Sequence, residues 1–115
     1  TSRPTGFGRW PELDKHRLMR AAALRVELHL PASQSLKEKR AVLRPVIEGL
    51  RRLGSYSVAE VGYHDKWQRA AIGVAIAAPD GESLAMQVSK LRRYLDGQLE
   101  VEVLDVRMSE LEEPE

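Results

Sequence analysis

The sequence predicts an α+β domain, a ferredoxin-like β-α-β-β-α-β sandwich with two helices on one face of a four-stranded antiparallel sheet. Three observations carry that expectation. Residues 23–30 and 68–78 alternate with a period of two. Residues 35–53 and 82–95 place apolar side chains at helical spacing. With shorter strands at 57–64 and 99–108, the order of these segments fits the split βαβ plan. Right-handed crossovers then put the first and third strands at the centre.

In the first strand, Leu24, Val26, Leu28 and Leu30 alternate with Arg25, Glu27 and His29, and Pro31 stops the ladder. The first helix opens at Ser35, with Glu38 three residues on, a capping-box spacing. Leu36, Leu43, Ile47 and Leu50 share one arc, flanked by Val46 and Leu53. Pro45 removes one backbone bond, to Ala41, and predicts a kink. Gly54 is the expected C-cap.

Asp65–Trp67 connects the second and third strands tightly. In the third, Ile72, Val74 and Ile76 share one face, and Ala71, Gly73, Ala75 and Ala77 share the other. Pro79-Asp80-Gly81 is a turn. The second helix carries Leu84, Val88, Leu91 and Leu95 on its core face, with Asp80 or Ser83 as cap and Gly97 after its end. In the last strand Val101 and Val103 have one parity, whereas Leu104, Val106 and Met108 have the other. That slip predicts a bulge or a strand buried on both faces.

Three parts are expected along the chain: a flexible N-terminal extension over 1–21, the domain over 22–108, and a frayed acidic tail over 109–115. Within the extension, Met19 reads as the natural start, 11–20 as one or two helical turns, and Phe7 and Trp10 as docked or exposed. At 115 residues, one domain buries roughly two thirds of its unfolded surface. The absence of cysteine excludes disulfides, thiolate metal sites and thiol nucleophiles. No apolar run reaches the ~20 residues of a membrane span, so no membrane partner and a cytoplasmic location are expected. A net charge of +1 predicts no bulk pull toward nucleic acid. Distribution matters more: Glu110, Glu112, Glu113 and Glu115 are terminal, leaving a more basic body.

Two strings stand out, Ser35-Leu36-Lys37-Glu38-Lys39-Arg40 and Asp65-Lys66-Trp67-Gln68-Arg69. With Leu24-Arg25-Val26-Glu27-Leu28-His29-Leu30-Pro31, Val58-Ala59-Glu60-Val61 and Trp67-Gln68-Arg69-Ala70, the sequence resembles the YlxP-like bacterial family over about residues 19–108. That family is a domain of unknown function. The resemblance implies a ferredoxin-like fold and, because its genes often neighbour those for translation initiation and ribosome maturation, a ribosome or RNA context by association alone. It supplies no catalytic residues, and the segment before Met19 departs from the compact family pattern.

Four groups of residues are candidate sites. Lys37, Arg40, Arg44 and Arg51 lie within about 60° of the first helix's wheel. Such a stripe suits phosphates, or else is a solvated face with Glu48 pairing to Arg44, Arg51 or Arg52. Lys39 points toward the apolar arc, which suits a stem covering the core and an ammonium reaching solvent or a carboxylate. A substrate-binding role is the sharper alternative for it.

In the hairpin, Asp65, Trp67, Gln68 and Arg69, with His64, suit a structural turn in which Asp65 bonds nearby amides and Trp67 packs on the sheet end. A partner interface and base stacking are the alternatives. The small residues Ala71, Gly73, Ala75 and Ala77 suit a homodimer face or a seat for the N-terminal extension. The third strand lacks the aromatics that stack bases on RNA-recognition sheets. Lastly, His29 with Glu27 suits a cross-strand polar cluster better than an acid–base pair.

No Gly-rich phosphate loop, metal motif or hydrolase elbow is present, and neither a cofactor nor enzymatic activity is expected. The favoured reading is an accessory protein binding ribosomal RNA or a translation-related protein. The alternative is an oligomeric regulatory module binding a small ligand between subunits. An enzyme rests only on scattered Glu27, His29 and His64.

Overall fold

The computed structural model describes residues 18–112. Expectations for residues 1–17, including the docking of Phe7 and Trp10, lie outside the described residues. The elements run β1 (Arg20–His29), α1 (Leu36–Leu53), β2 (Tyr56–Gly62), β3 (Arg69–Ala78), α2 (Gly81–Asp96) and β4 (Glu102–Glu112). The sheet order is β2-β3-β1-β4, antiparallel throughout, so the first and third strands are central as the sequence predicts. This is the ferredoxin-like arrangement.

The core follows the period-two pattern. Leu24, Val26 and Leu28 of β1 pair with Val74, Ile72 and Ala70 of β3, and all six are buried. Leu43, Val46 and Leu50 of α1 and Leu84, Leu91 and Leu95 of α2 close over them. Leu36 and Ile47 sit at the margin, half-buried. α1 continues through Pro45 without interruption.

Both helix starts are capped by side chains. The Glu38 amide donates to Ser35 Oγ at 3.1 Å, and the Ser83 amide to Asp80 Oδ1 at 2.8 Å. The Glu38 carboxylate accepts from the Gln34 amide rather than from that of Ser35, one residue outside the usual box. At Gly54 the backbone is extended, not left-handed. Glycine is needed there because a Cβ would approach the Tyr56 ring to 2.8 Å.

Two bulges bend the sheet at one level. Leu104 is the extra residue of β4, between Val103, which faces Leu28, and Asp105, which faces Glu27. Val61 is the extra residue of β2, between partners of Ile72 and Ala71. The first explains the parity slip in the sequence, since Val103 and Val106 both pack on the core across it. β2 ends at Gly62, two residues short of the predicted end.

The expected frayed tail after Ser109 is corrected: β4 runs on to Glu112, with Ser109–Glu112 paired to Arg20–Ala23. An Arg20–Glu110 ion pair at 3.5 Å adds to those bonds. The sequence signal missed this because these residues are polar on the face where a core pattern would show.

The helices meet at Gly49, where the Tyr94 hydroxyl donates to the Val46 carbonyl at 3.1 Å. A Cβ on Gly49 would overlap that hydroxyl. Gly49→Ala should therefore lower stability in urea unfolding, despite the ~1 kcal/mol that alanine gains over glycine in a helix; a stabilised variant would contradict this packing.

Burial raises the pKa of Tyr56, and also that of Tyr94, where Arg52 partly opposes the rise. Their native states keep the proton longer than the unfolded chain does. Their contribution is complete below pH 10, the ordinary tyrosine value, and is lost as pH climbs from there through the native pKa values. Phenolate absorbance should rise at higher pH in the folded protein than in the urea-unfolded one.

Candidate functional site: the basic face of the first helix and the adjoining hairpin

The loop after β1 and the β2–β3 hairpin are tied together at one end of the sheet. The Leu30 amide donates to the Gln68 carbonyl at 2.9 Å. Gln68 Nε2 donates to the carbonyls of Pro31 and Ser33, at 3.3 and 3.1 Å. From α1, Lys39 crosses to the same hairpin. Its Nζ donates to the Tyr63 carbonyl at 2.6 Å and pairs with Glu60 Oε2 at 3.4 Å. Lys39 is only 3% exposed, so an ammonium there needs both partners. The core-covering stem and carboxylate partner expected for this residue are both present.

Tyr63 takes a left-handed backbone, φ 60°, where a non-glycine residue is uncommon. Its carbonyl also accepts from the Lys66 amide at 3.0 Å, and this turn helps hold the strained residue. Glu60 and Tyr63 were not singled out from the sequence. A signal for Glu60 was present, since it shares the period-two parity of the core residues Tyr56 and Val58. The left-handed Tyr63, in contrast, follows the Val61 bulge, which a single sequence does not display.

With Lys39 drawn inward, Lys37, Arg40 and Arg44 are left on the solvent face of α1. They line a shallow depression with Ala41 and Pro45. None of the three has an ion-pair or hydrogen-bond partner among the described residues, and the pairing expected for Glu48 does not form there. Arg51 leaves the predicted stripe in function: its Nη2 donates to the Val58 carbonyl at 2.9 Å and fastens α1 to β2.

The hairpin group also divides. Gln68 is structural. Arg69 Nη2 donates to Glu27 Oε1 at 2.8 Å and to the Tyr63 hydroxyl at 3.3 Å, with its guanidinium 4.6 Å from the Tyr63 ring centre. Asp65 and Trp67 are exposed, Trp67 at 53%, so the indole is covered on part of its surface only.

On the open sheet face, charges satisfy one another. Glu27 also pairs with Arg25 at 3.5 Å, and His29 Nδ1 lies 2.8 Å from Glu102 Oε1. That is the cross-strand cluster expected around His29. The flat third-strand face is narrower than the sequence suggests. Ala75 and Ala77 are exposed, whereas Ala71 is buried and Val61 covers Gly73, its Cγ1 2.9 Å from where a Cβ would stand. Among the described residues, no three His, Asp or Glu side chains gather to hold a metal ion, and no helix is long and apolar enough to cross a membrane.

Residues 21–108 match the family described as Protein of unknown function (DUF503). The chain belongs to this family. A 68-residue stretch is 32% identical to the uncharacterized protein YlxP of Bacillus subtilis (strain 168), covering 59% of this chain and 74% of that protein. The de novo designed protein Foldit4 aligns with a TM-score of 0.47 and 18% sequence identity, over 79% of this chain and 96% of the designed one. Family membership spans both strings, and it agrees with the resemblance seen in the residues.

The Lys39 junction can be tested by removing either partner. Glu60→Ala leaves a buried ammonium with one carbonyl and should cost about 1–3 kcal/mol, less than for a fully buried pair because Glu60 is partly in water. Lys39→Met removes the charge and leaves the Tyr63 carbonyl its bond from Lys66, so it should cost less. The reverse order in urea unfolding would show that the pair does not carry the junction.

Proposed function

We propose that this chain is a non-enzymatic accessory protein of translation or ribosome maturation that binds ribosomal RNA along the solvent face of α1. One observation carries the reading: Lys37, Arg40 and Arg44 are exposed on one helix face without a carboxylate partner among the described residues. Among the other described cations, Arg52, Lys66, Lys90, Arg92 and Arg93 also lack a carboxylate partner, but Lys37, Arg40 and Arg44 gather around one shallow depression on α1. The remaining described cations are engaged. Lys39, Arg20, Arg25, Arg69 and Arg107 all pair with acids, and Arg51 holds a backbone carbonyl. Three unpaired charges on a rigid rod suit phosphates, whose binding releases counterions. The translation setting implied by the family resemblance supports RNA as the polyanion.

A second reading is an oligomeric module binding a small ligand between subunits. It is supported by the exposed small residues Ala23, Ala59, Ala75 and Ala77 on neighbouring strands. Under it, Ala75→Arg dissociates the oligomer and leaves a folded monomer, as read by sedimentation.

Under the RNA reading, the protein should comigrate with a ribosomal subunit at low salt and leave it at high salt. Three phosphate contacts predict a slope of about −2 in log affinity against log salt for a single strand. Arg40→Glu with Arg44→Glu should abolish comigration. Survival of binding in that variant, with its circular dichroism unchanged, would remove α1 from the interface.

A further inference from the structure

Trp67 is the one exposed aromatic among the described residues: Tyr56 is buried, and Tyr63 and Tyr94 are half-covered. The indole sits in a connection whose backbone is fixed from three directions. Lys39 and the Lys66 amide hold the Tyr63 carbonyl, Gln68 grips Pro31 and Ser33, and the Leu30 amide takes the Gln68 carbonyl. The backbone that carries this large apolar ring is already fixed, so a partner that stacks on the ring need not order the turn as well.

Its neighbours specify the chemistry. Ser33, which Gln68 holds, lies two residues before the Ser35 cap of α1. Lys39, one turn into α1, holds Tyr63 at the other end of the connection. The connection that carries Trp67 is thus tied to the loop before α1 and to its first turns. In those turns exposed Lys37 and Arg40 begin a run of free cations spanning about 10 Å to Arg44. Next to it, Lys66 is exposed and has no side-chain partner among the described residues, while Asp65 makes the turn itself a poor seat for phosphate.

We propose that Trp67 stacks a base of single-stranded RNA whose backbone runs along Lys37, Arg40 and Arg44. The inference rests on the RNA reading and names the class of RNA. A duplex hides its base faces and offers Trp67 nothing, whereas a single strand presents a face of any sequence. The cations alone do not make that distinction. Cation-lined tracks with an aromatic platform are a general solution for single strands, and here the platform lies at the sheet end rather than on the open sheet face, which has no exposed aromatic.

The test measures binding of a mixed-sequence single-stranded oligoribonucleotide and of a duplex of equal length, by fluorescence anisotropy, with the full chain. Trp67→Ala should weaken single-strand binding by roughly 5- to 150-fold, the loss of one stacked base, without changing the salt slope. Trp67→Phe should restore most of it. Duplex binding should not respond to either change. In a Trp10→Phe background, Trp67 emission should be quenched as the strand binds.

Arg40→Glu with Arg44→Glu should lower both affinities and flatten the salt slope. If Trp67→Ala binds the single strand like the wild type while the charge reversal fails to bind, the stacking proposal is overturned and the phosphate face stands. That result would leave Trp67 to a protein partner. If the wild type binds neither RNA, both fall together.

Discussion

The buried ammonium of Lys39 sets the arrangement at this end of the molecule. It lies on the core face of α1, among Leu43, Val46 and Leu50, and is 3% exposed. A charge in that position is tolerable only if paired and hydrogen-bonded. Glu60 and the Tyr63 carbonyl supply both needs, one just before and one just after the β2 bulge at Val61. Glu60 faces the helix with Tyr56 and Val58 by the alternation of β2, and the bulge then leads the chain to the left-handed Tyr63. From there Tyr63 places its hydroxyl within reach of Glu27 and Arg69 on the opposite side of the sheet. One ionic junction thus links the helix layer, the sheet edge and the open face.

The same junction sorts the cations of the protein. Those on the sheet are consumed by cross-strand acids, with Arg69 and Arg25 on Glu27 and Arg20 on Glu110. Lys39 and Arg51 dock α1 onto β2. Lys37, Arg40 and Arg44 are left together on the outermost face of α1, while Arg52, Lys66 and the α2 cations Lys90, Arg92 and Arg93 lack a carboxylate partner elsewhere among the described residues. A net charge of +1 conceals this clustering, because it sums over a surface on which acids and bases are unevenly placed. A ligand that follows α1 meets cations already freed of internal partners, so its phosphates replace water rather than a competing carboxylate.

The sequence was most legible where burial enforces a period. Leu24, Val26 and Leu28, the Ile72–Ile76 face and the Leu84–Leu95 stripe all lie where their spacing put them, and Ser35 and Asp80 cap as their side-chain chemistry dictates. The β4 bulge was visible as a parity slip between Val103 and Leu104. Legibility failed where long polar side chains choose among partners. Helical spacing placed Arg51 with Arg40 and Arg44, but its reach to Val58 depends on how α1 sits over β2. Gln68 and Arg69 adjoin Trp67 in sequence yet serve the loop and the sheet. The four-residue flat face shrank to Ala75 and Ala77 because Val61, an inserted residue on another strand, covers Gly73. Strand β4 outran its apolar pattern because pairing with Arg20–Ala23, not burial, extends it.

Amide chemical shifts recorded while single-stranded RNA is titrated into the protein would examine this division of surfaces directly. An RNA-binding α1 face should concentrate the changes in residues 36–44 of α1 and 64–68 of the hairpin, leaving Ala75 and Ala77 unmoved. Changes centred on the open sheet face, with α1 silent, would contradict it and place binding among the charges that the structure has already paired.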